Sequence, residues 1–492
     1  MFQYFRNVSP TLPAALSIFA LALLPIAAQA EALPASKAKA DLERLYEGLM
    51  SAEAGLFTTT PKHVFNRHYS ELMDSYSNTV SRADLYRDLQ EFAALARHGH
   101  TRLEGISPDW HDYMEREGKV FPLSFSIFQG EVIVAGAPPE SGIFPGDRIT
   151  SLDRKSNPIW LMEITKYISA ETPQLAYSLM NQGEYYYFWL AFGERESFDI
   201  TIMRSGVEVE LELKAISIDE LDNNIELESG FQLPGREAKL IEGNIGYLRP
   251  GPFYHFEAET PEDVYNAQAL AEYKKFIEDT FASFQNEGVS HLVLDLRDNP
   301  GGDASFSDPV IQWFATEPFR FASDFRIRVS NETTTSNQAR LDARDSAVGG
   351  VSQLFADLFA TAENGEYVSF DIPYVQPRSG QKFTGKVHVL VNRYSYSNAV
   401  TTAALIQDYG FGHIYGEQTR DMATTYGAME HFTLPNSGFK VGYPKAHIIR
   451  PNGEVKSHPV SPDTSFNLPA VRGAEDVALN LLVEKIQSSC EL

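Results

Sequence analysis

The sequence predicts an α/β protein in which a core of strand–helix repeats follows a helical segment and a β-rich segment. Three observations carry that reading. Short aliphatic runs at 245–248, 291–295 and 387–391 read as buried strands, and helical spacing follows the first and the third. Near the N-terminus Leu42, Leu45, Tyr46 and Leu49, then Leu85, Leu89, Phe92 and Ala96, recur at the spacing of a helix face. Between these regions, 121–128, 132–135 and 198–204 are apolar or alternating, as short strands are.

At 492 residues the chain exceeds one ordinary core, so two to four domains are expected. The expected boundaries are 1–30, 31–117, 118–217 and 218–492. The first of these reads as a leader: Arg6 supplies the positive end, 14–27 is apolar, and Ala28-Gln29-Ala30 is a small-x-small cleavage site after Ala30. Export to a periplasm or beyond is the expectation. The apolar run is short for a membrane span, and no later segment matches its length, so no span is expected after cleavage.

A formal charge of −25 argues against nucleic acid as a partner, because binding phosphates takes a basic face. Cys490 stands alone and cannot form an intrachain disulfide, so packing must supply the stability. His98 and His100 flank Gly99, yet no Cys or acidic cluster beside them completes a ligand set. No metal and no cofactor is therefore expected.

Within the core, the strand at 387–391 ends in Asn392 and a turn, Tyr394-Ser395-Tyr396-Ser397-Asn398. Ala399, Val400, Ala403, Ala404, Leu405 and Ile406 then continue at helical spacing until Gly410. A serine at the mouth of such a helix can present its hydroxyl beside unpaired backbone N–H groups, the makings of a nucleophile and half an oxyanion hole. It can equally be a helix cap and nothing more. The segment 291–299 ends in charge and runs into Pro300-Gly301-Gly302.

Asp295-Leu296-Arg297-Asp298-Asn299-Pro300-Gly301-Gly302, the serine turn and Gln407-Asp408-Tyr409-Gly410 together resemble the tail-specific, or C-terminal processing, serine peptidases, a family that includes tricorn-like proteases. The resemblance covers most of the chain after about Ala238. In that family a serine stands eleven residues before the aspartate of Q-D-x-G, which selects Ser397 over Ser395. The implied fold is the spiral core of the Clp protease and crotonase superfamily. Gly142-Ile143-Phe144-Pro145-Gly146-Asp147-Arg148-Ile149 similarly resembles the G-x-x-x-G-D-x-I turn of PDZ domains, which family members carry at this place. The aromatic stretch Glu184 to Trp189 departs from a compact PDZ domain and reads as core or interdomain contact.

The resemblance implies Ser397 as nucleophile, with oxyanion donors from the Asn398 N–H and from the Gly301-Gly302 turn. The base is less direct. Classical members place a lysine 25 residues after the serine, and here that residue is Met422. Gly99-His100-Thr101 resembles the segment that carries the base in the lysine-independent, tricorn-like branch. Either His100 is the base, its Nε2 or Nδ1 within hydrogen-bond reach of Ser397 and its acid limb near a free histidine's pKa of about 6–7, or the core is inactive. Glu417 orients the base or polarises the substrate, unless it is a solvated loop acid. Three functions follow: an exported peptidase acting on proteins or peptides, a non-catalytic scaffold built on the PDZ-like module, or acyl chemistry on a CoA ester, for which no basic phosphate-binding motif stands out. Oligomeric state is not legible here.

Overall fold

A computed structural model describes residues 32–490 apart from 106, 225–230, 243, 259–263 and 343–348. The leader read at 1–30 lies outside the described residues.

The core is a six-stranded sheet in the spatial order Glu237–Ile241, Ile245–Arg249, His291–Asp295, Lys386–Val391, His413–Gly416, Thr464–Ser465. Its first pair is antiparallel and the remainder parallel. A parallel strand buried on both faces has no polar face to alternate with, and His291–Asp295 and Lys386–Val391 are accordingly almost continuously buried. Helices Ala267–Asn286 and Asn398–Asp408 cover one face through Phe281, Phe284, Val400 and Ala404. The helix Val477–Cys490 covers the other through Leu482 and Ile486. Asn266 caps the helix Ala267–Asn286, its side chain accepting the Ala269 N–H at 2.7 Å. The helix opening expected at Thr260 and Pro261 falls outside the described residues.

A second sheet runs Tyr367–Ser369, Asp324–Arg328, Lys440–Ile449, Thr425–Thr433. Residues 324–382 read from sequence as polar loops around one helix, and two strands of this sheet overturn that. Asp324–Arg328 alternates charged and apolar residues, and its Phe325 and Ile327 pack under Phe355 and Phe359 of the helix Gly349–Phe359.

The N-terminal helices Ala35–Ala52, Lys62–Ser75 and Arg82–Ala94 lie against this second sheet, where Leu42, Leu45 and Leu49 share a core with Phe432, Val441 and Tyr443. Ser81 caps the third helix by accepting the Asp84 N–H. After that helix, Arg102–Leu103 pairs antiparallel with Lys440–Ile449. The short loop between them holds His98, Gly99 and His100, and both of its ends are thereby fixed.

Residues 118–217 form an antiparallel sheet in the order Val207–Lys214, Ser197–Arg204, Arg148–Leu152, Glu131–Gly136, Ser124–Phe128. The aromatic stretch is a helix, Glu184–Phe192, with two jobs. Phe188 stacks on Phe121 at 4.1 Å inside this module, while Tyr186 and Trp189 join the core of the N-terminal helices.

Candidate active site

The serine turn is built by side-chain to backbone bonds that replace a sheet ladder. Asn392 Oδ1 accepts the N–H groups of Asp298, Tyr394 and Ser395, each at 3.1 Å. The Ser395 hydroxyl donates to the Leu296 carbonyl at 2.8 Å and is buried. Ser395 is thus part of the scaffold. Ser397, at the start of the helix Asn398–Asp408, has φ 52° and ψ −122°, a left-handed conformation that a non-glycine residue adopts at a cost of about 1–3 kcal/mol. It makes no capping bond, so the cap reading of the sequence does not hold.

The structure brings His100 to this hydroxyl. Its Nε2 lies 3.1 Å from Ser397 Oγ, across 297 residues of sequence. The imidazole stacks on the Tyr396 ring at 5.4 Å, and the Tyr396 hydroxyl donates to the Gly99 carbonyl at 2.8 Å. Nδ1 faces the Tyr426 carbonyl without closing a full hydrogen bond. That arrangement favours the tautomer with its proton on Nδ1 and its lone pair on Nε2. Burial, and then the Arg102 charge, push the imidazole down to about 3. His100 is therefore neutral at ordinary pH, and the acid limb expected near 6–7 moves lower.

The glycine turn closes over the same point. Gly301 has φ 84°, and a Cβ there would fall 2.6 Å from the Asn398 nitrogen and 2.7 Å from the Tyr396 carbonyl oxygen. Gly302 has φ 133°, and its Cβ would meet the Phe253 carbonyl oxygen at 2.1 Å. Only glycine allows these approaches. The Gly301 N–H is taken by Asn299 Oδ1 at 2.9 Å, so it is not a free donor. Among the described residues no acceptor takes the N–H of Gly302 or of Asn398. Of the three residues expected at the oxyanion hole, Gly302 and Asn398 offer N–H groups, and Gly301 gives clearance.

Glu417 is elsewhere. Its carboxylate is paired with Arg393, whose Nε donates at 3.0 Å, rather than with the imidazole. An arginine fork in a partly buried site captures a carboxylate bidentately, which explains why the expectation of Glu417 as an orienting or polarising acid is corrected. Met422, at the position where classical members carry a lysine, is buried and bridges to Pro459. Sequence reasoning passed over its neighbour, Asp421. Asp421 Oδ2 accepts the Ser397 N–H at 2.6 Å, and Oδ1 accepts the Met422 N–H at 2.8 Å. Its place one residue before the position of the absent lysine was the available signal. Among the described residues no cluster of three or more His, Cys, Asp or Glu could hold a metal ion.

Residues 244–466 match the profile of Peptidase family S41. No curated protein matches the chain. Among solved structures, mature CPAF is similar over 89% of this chain and 93% of its own, at 12% identity and a TM-score of 0.61. Mature CPAF complexed with lactacystin is similar over 92% and 97%, at 13% identity and a TM-score of 0.60. At such identities the likeness is one of fold. Residues 244–466, less than half of the chain, match peptidase family S41, and that match supports a serine-type peptidase, a hydrolase.

Proposed function

We propose that the protein is an exported peptidase that cleaves peptide bonds of proteins or peptides through an acyl-enzyme on Ser397, with His100 as base. The observation that carries this is the 3.1 Å approach of His100 Nε2 to Ser397 Oγ. In this reading Nε2 takes the hydroxyl proton as the oxygen attacks the scissile carbonyl, and the imidazolium returns that proton to the leaving amine. Water then repeats the cycle on the ester. The oxyanion sits between the Asn398 and Gly302 N–H groups, each worth roughly 3–4 kcal/mol where such donors have been measured. The approach of His100 to Ser397, with Met422 where classical members carry lysine, supports a place in the lysine-independent, tricorn-like branch.

The core, a parallel sheet with a second sheet beside it, supports the spiral fold of the Clp protease and crotonase superfamily. The module at 118–217 is read as PDZ-like. Its Gly142–Asp147 turn is braced by Asp147, which accepts the Phe144 N–H at 2.8 Å and pairs with Arg204. Such modules capture peptides by strand addition. The leader read from sequence at 1–30 supports export to a periplasm or the exterior. A fluorophosphonate probe tests the reading. The purified protein should be labelled and Ser397→Ala should not, whereas an unlabelled wild-type protein would favour a non-catalytic scaffold.

A further inference from the structure

A buried carboxyl group, Asp421, and a half-buried one, Glu171, lie beneath the site, and the chemistry above uses neither. Asp421 is 1% exposed and accepts the Ser397 N–H at 2.6 Å. Glu171 lies between the helices Asn157–Thr165 and Pro173–Asn181 of the β-rich module, and its two oxygens accept the Gly99 N–H at 3.3 and 3.2 Å. One carboxyl thus holds the backbone of the nucleophile, and the other holds the residue before the base. Tyr396 ties the two together, since it precedes Ser397 and its hydroxyl donates to the Gly99 carbonyl.

Among the described residues no backbone carbonyl accepts the N–H of the left-handed Ser397; Asp421 supplies the acceptor. A buried N–H left without an acceptor costs about 1–3 kcal/mol, similar to the strain of the turn itself. Neither carboxyl has an arginine or lysine within ion-pair distance among the described residues. The ionisable groups around Asp421 are Glu171 and Tyr396, and those around Glu171 are His98 and Glu53, with Arg102 and Glu104 beyond Tyr396.

We propose that Asp421 and Glu171 are paired positioning residues: Asp421 fixes the Ser397 turn and Glu171 fixes the Gly99–His100 loop, so that hydroxyl and imidazole stay in reach of each other. The proposal rests on the serine-peptidase reading above. The charge state of the pair supports it. Burial, then the nearby Glu171, pushes Asp421 up to about 7, and burial raises Glu171 as well. At neutral pH the two carboxyls carry less than two full charges. As Asp421 loses its proton at higher pH, its charge repels that of Glu171 across the site, and the two anchored segments are driven apart.

The test compares the full-length protein with Asp421→Ala, Asp421→Asn and Glu171→Gln in fluorophosphonate labelling and peptide hydrolysis across pH. Asp421→Ala should lower the labelling rate and kcat by roughly 100-fold, the effect of a reacting group displaced by about 1 Å. KM should move by less than about threefold, because uniform binding is untouched. Asp421→Asn keeps a carbonyl oxygen for the Ser397 N–H and should recover activity to within about tenfold of wild type. In Glu171→Gln the alkaline fall of activity should be lost, since with one of the two charges gone the ionised Asp421 has nothing to repel. A residue that only stabilised the fold would lower the melting temperature and leave that limb in place. Should Asp421→Ala not fold, the Asn variant and the alkaline limb of Glu171→Gln carry the test. A folded Asp421→Ala labelled at the wild-type rate, or an unmoved alkaline limb in Glu171→Gln, overturns the proposal. An unlabelled wild-type protein overturns the peptidase reading instead, so the two failures are distinct.

Discussion

Ser395 and Ser397 are two residues apart and do opposite work. Ser395 spends its hydroxyl on the Leu296 carbonyl, whereas among the described residues only His100 approaches the Ser397 hydroxyl. Ser397→Ala should therefore abolish peptide hydrolysis without lowering the melting temperature. Ser395→Ala should cost about 1–3 kcal/mol of stability by orphaning buried polar groups, yet keep most of the rate in the surviving folded protein. Loss of hydrolysis from Ser395→Ala alone would reverse the assignment. The pH profile follows from His100. Only a neutral imidazole accepts the serine proton, and burial with Arg102 keeps it neutral down to about 3. The acid limb of kcat/KM should then lie clearly below the 6.5 of a free histidine; a limb at 6–7 would mean that water or substrate restores a normal environment to the ring. Ser397 was legible because it sits eleven residues before Asp408, which proves to be a tie, paired with Arg450 and accepting the Asn452 N–H. Asp421 was barely legible, its place before the position of the absent lysine being its one local signal. A carboxylate shows its role only by what folds against it, and its partner Glu171 is 250 residues earlier.

At the level of elements, the strand ends and turns that carry chemistry were readable, because glycine, proline and aliphatic runs leave a local signal. Gly301 and Gly302 are the clearest instance. Gly302→Ala combines a φ of 133° with a Cβ 2.1 Å from the Phe253 carbonyl oxygen, so the turn must move. We expect this variant to lose at least about 100-fold in kcat, the effect of removing an oxyanion donor, with a lowered melting temperature. Labelling by fluorophosphonate at the wild-type rate would show that the Gly302 N–H is not a donor. The strand Asp324–Arg328 was missed for the opposite reason. Its charges suggest a loop, and only the helix Gly349–Phe359 laid over Phe325 and Ile327 makes it half of a sheet. Tertiary cover, absent from any local window, decided it.

Across the whole molecule, His100 and Ser397 lie 297 residues apart in sequence and meet where the N-terminal helices dock on the second sheet. Asp41 is a main fastener of that docking. Its buried carboxylate accepts the Asn436 N–H at 2.9 Å, the Asn436 Nδ2 at 2.9 Å and the Ser437 N–H at 2.7 Å. Farther along the same interface, Arg328 donates to the Met50 and Glu53 carbonyls, and the Ala54 N–H donates to the Pro444 carbonyl. Asp41→Ala leaves the Asn436 and Ser437 N–H groups without their acceptor, and the buried Ser437 N–H alone costs about 1–3 kcal/mol. It touches neither Ser397 nor His100. If docking delivers the base, kcat should nevertheless fall as the docked population falls, and protease cleavage within 32–97 should rise in parallel. The two changes should track each other with temperature, both vanishing where the interface re-forms. Undocking seen by cleavage with kcat unchanged would mean that His100 reaches Ser397 without these helices, held by the pairing of Arg102–Leu103 with Lys440–Ile449 alone.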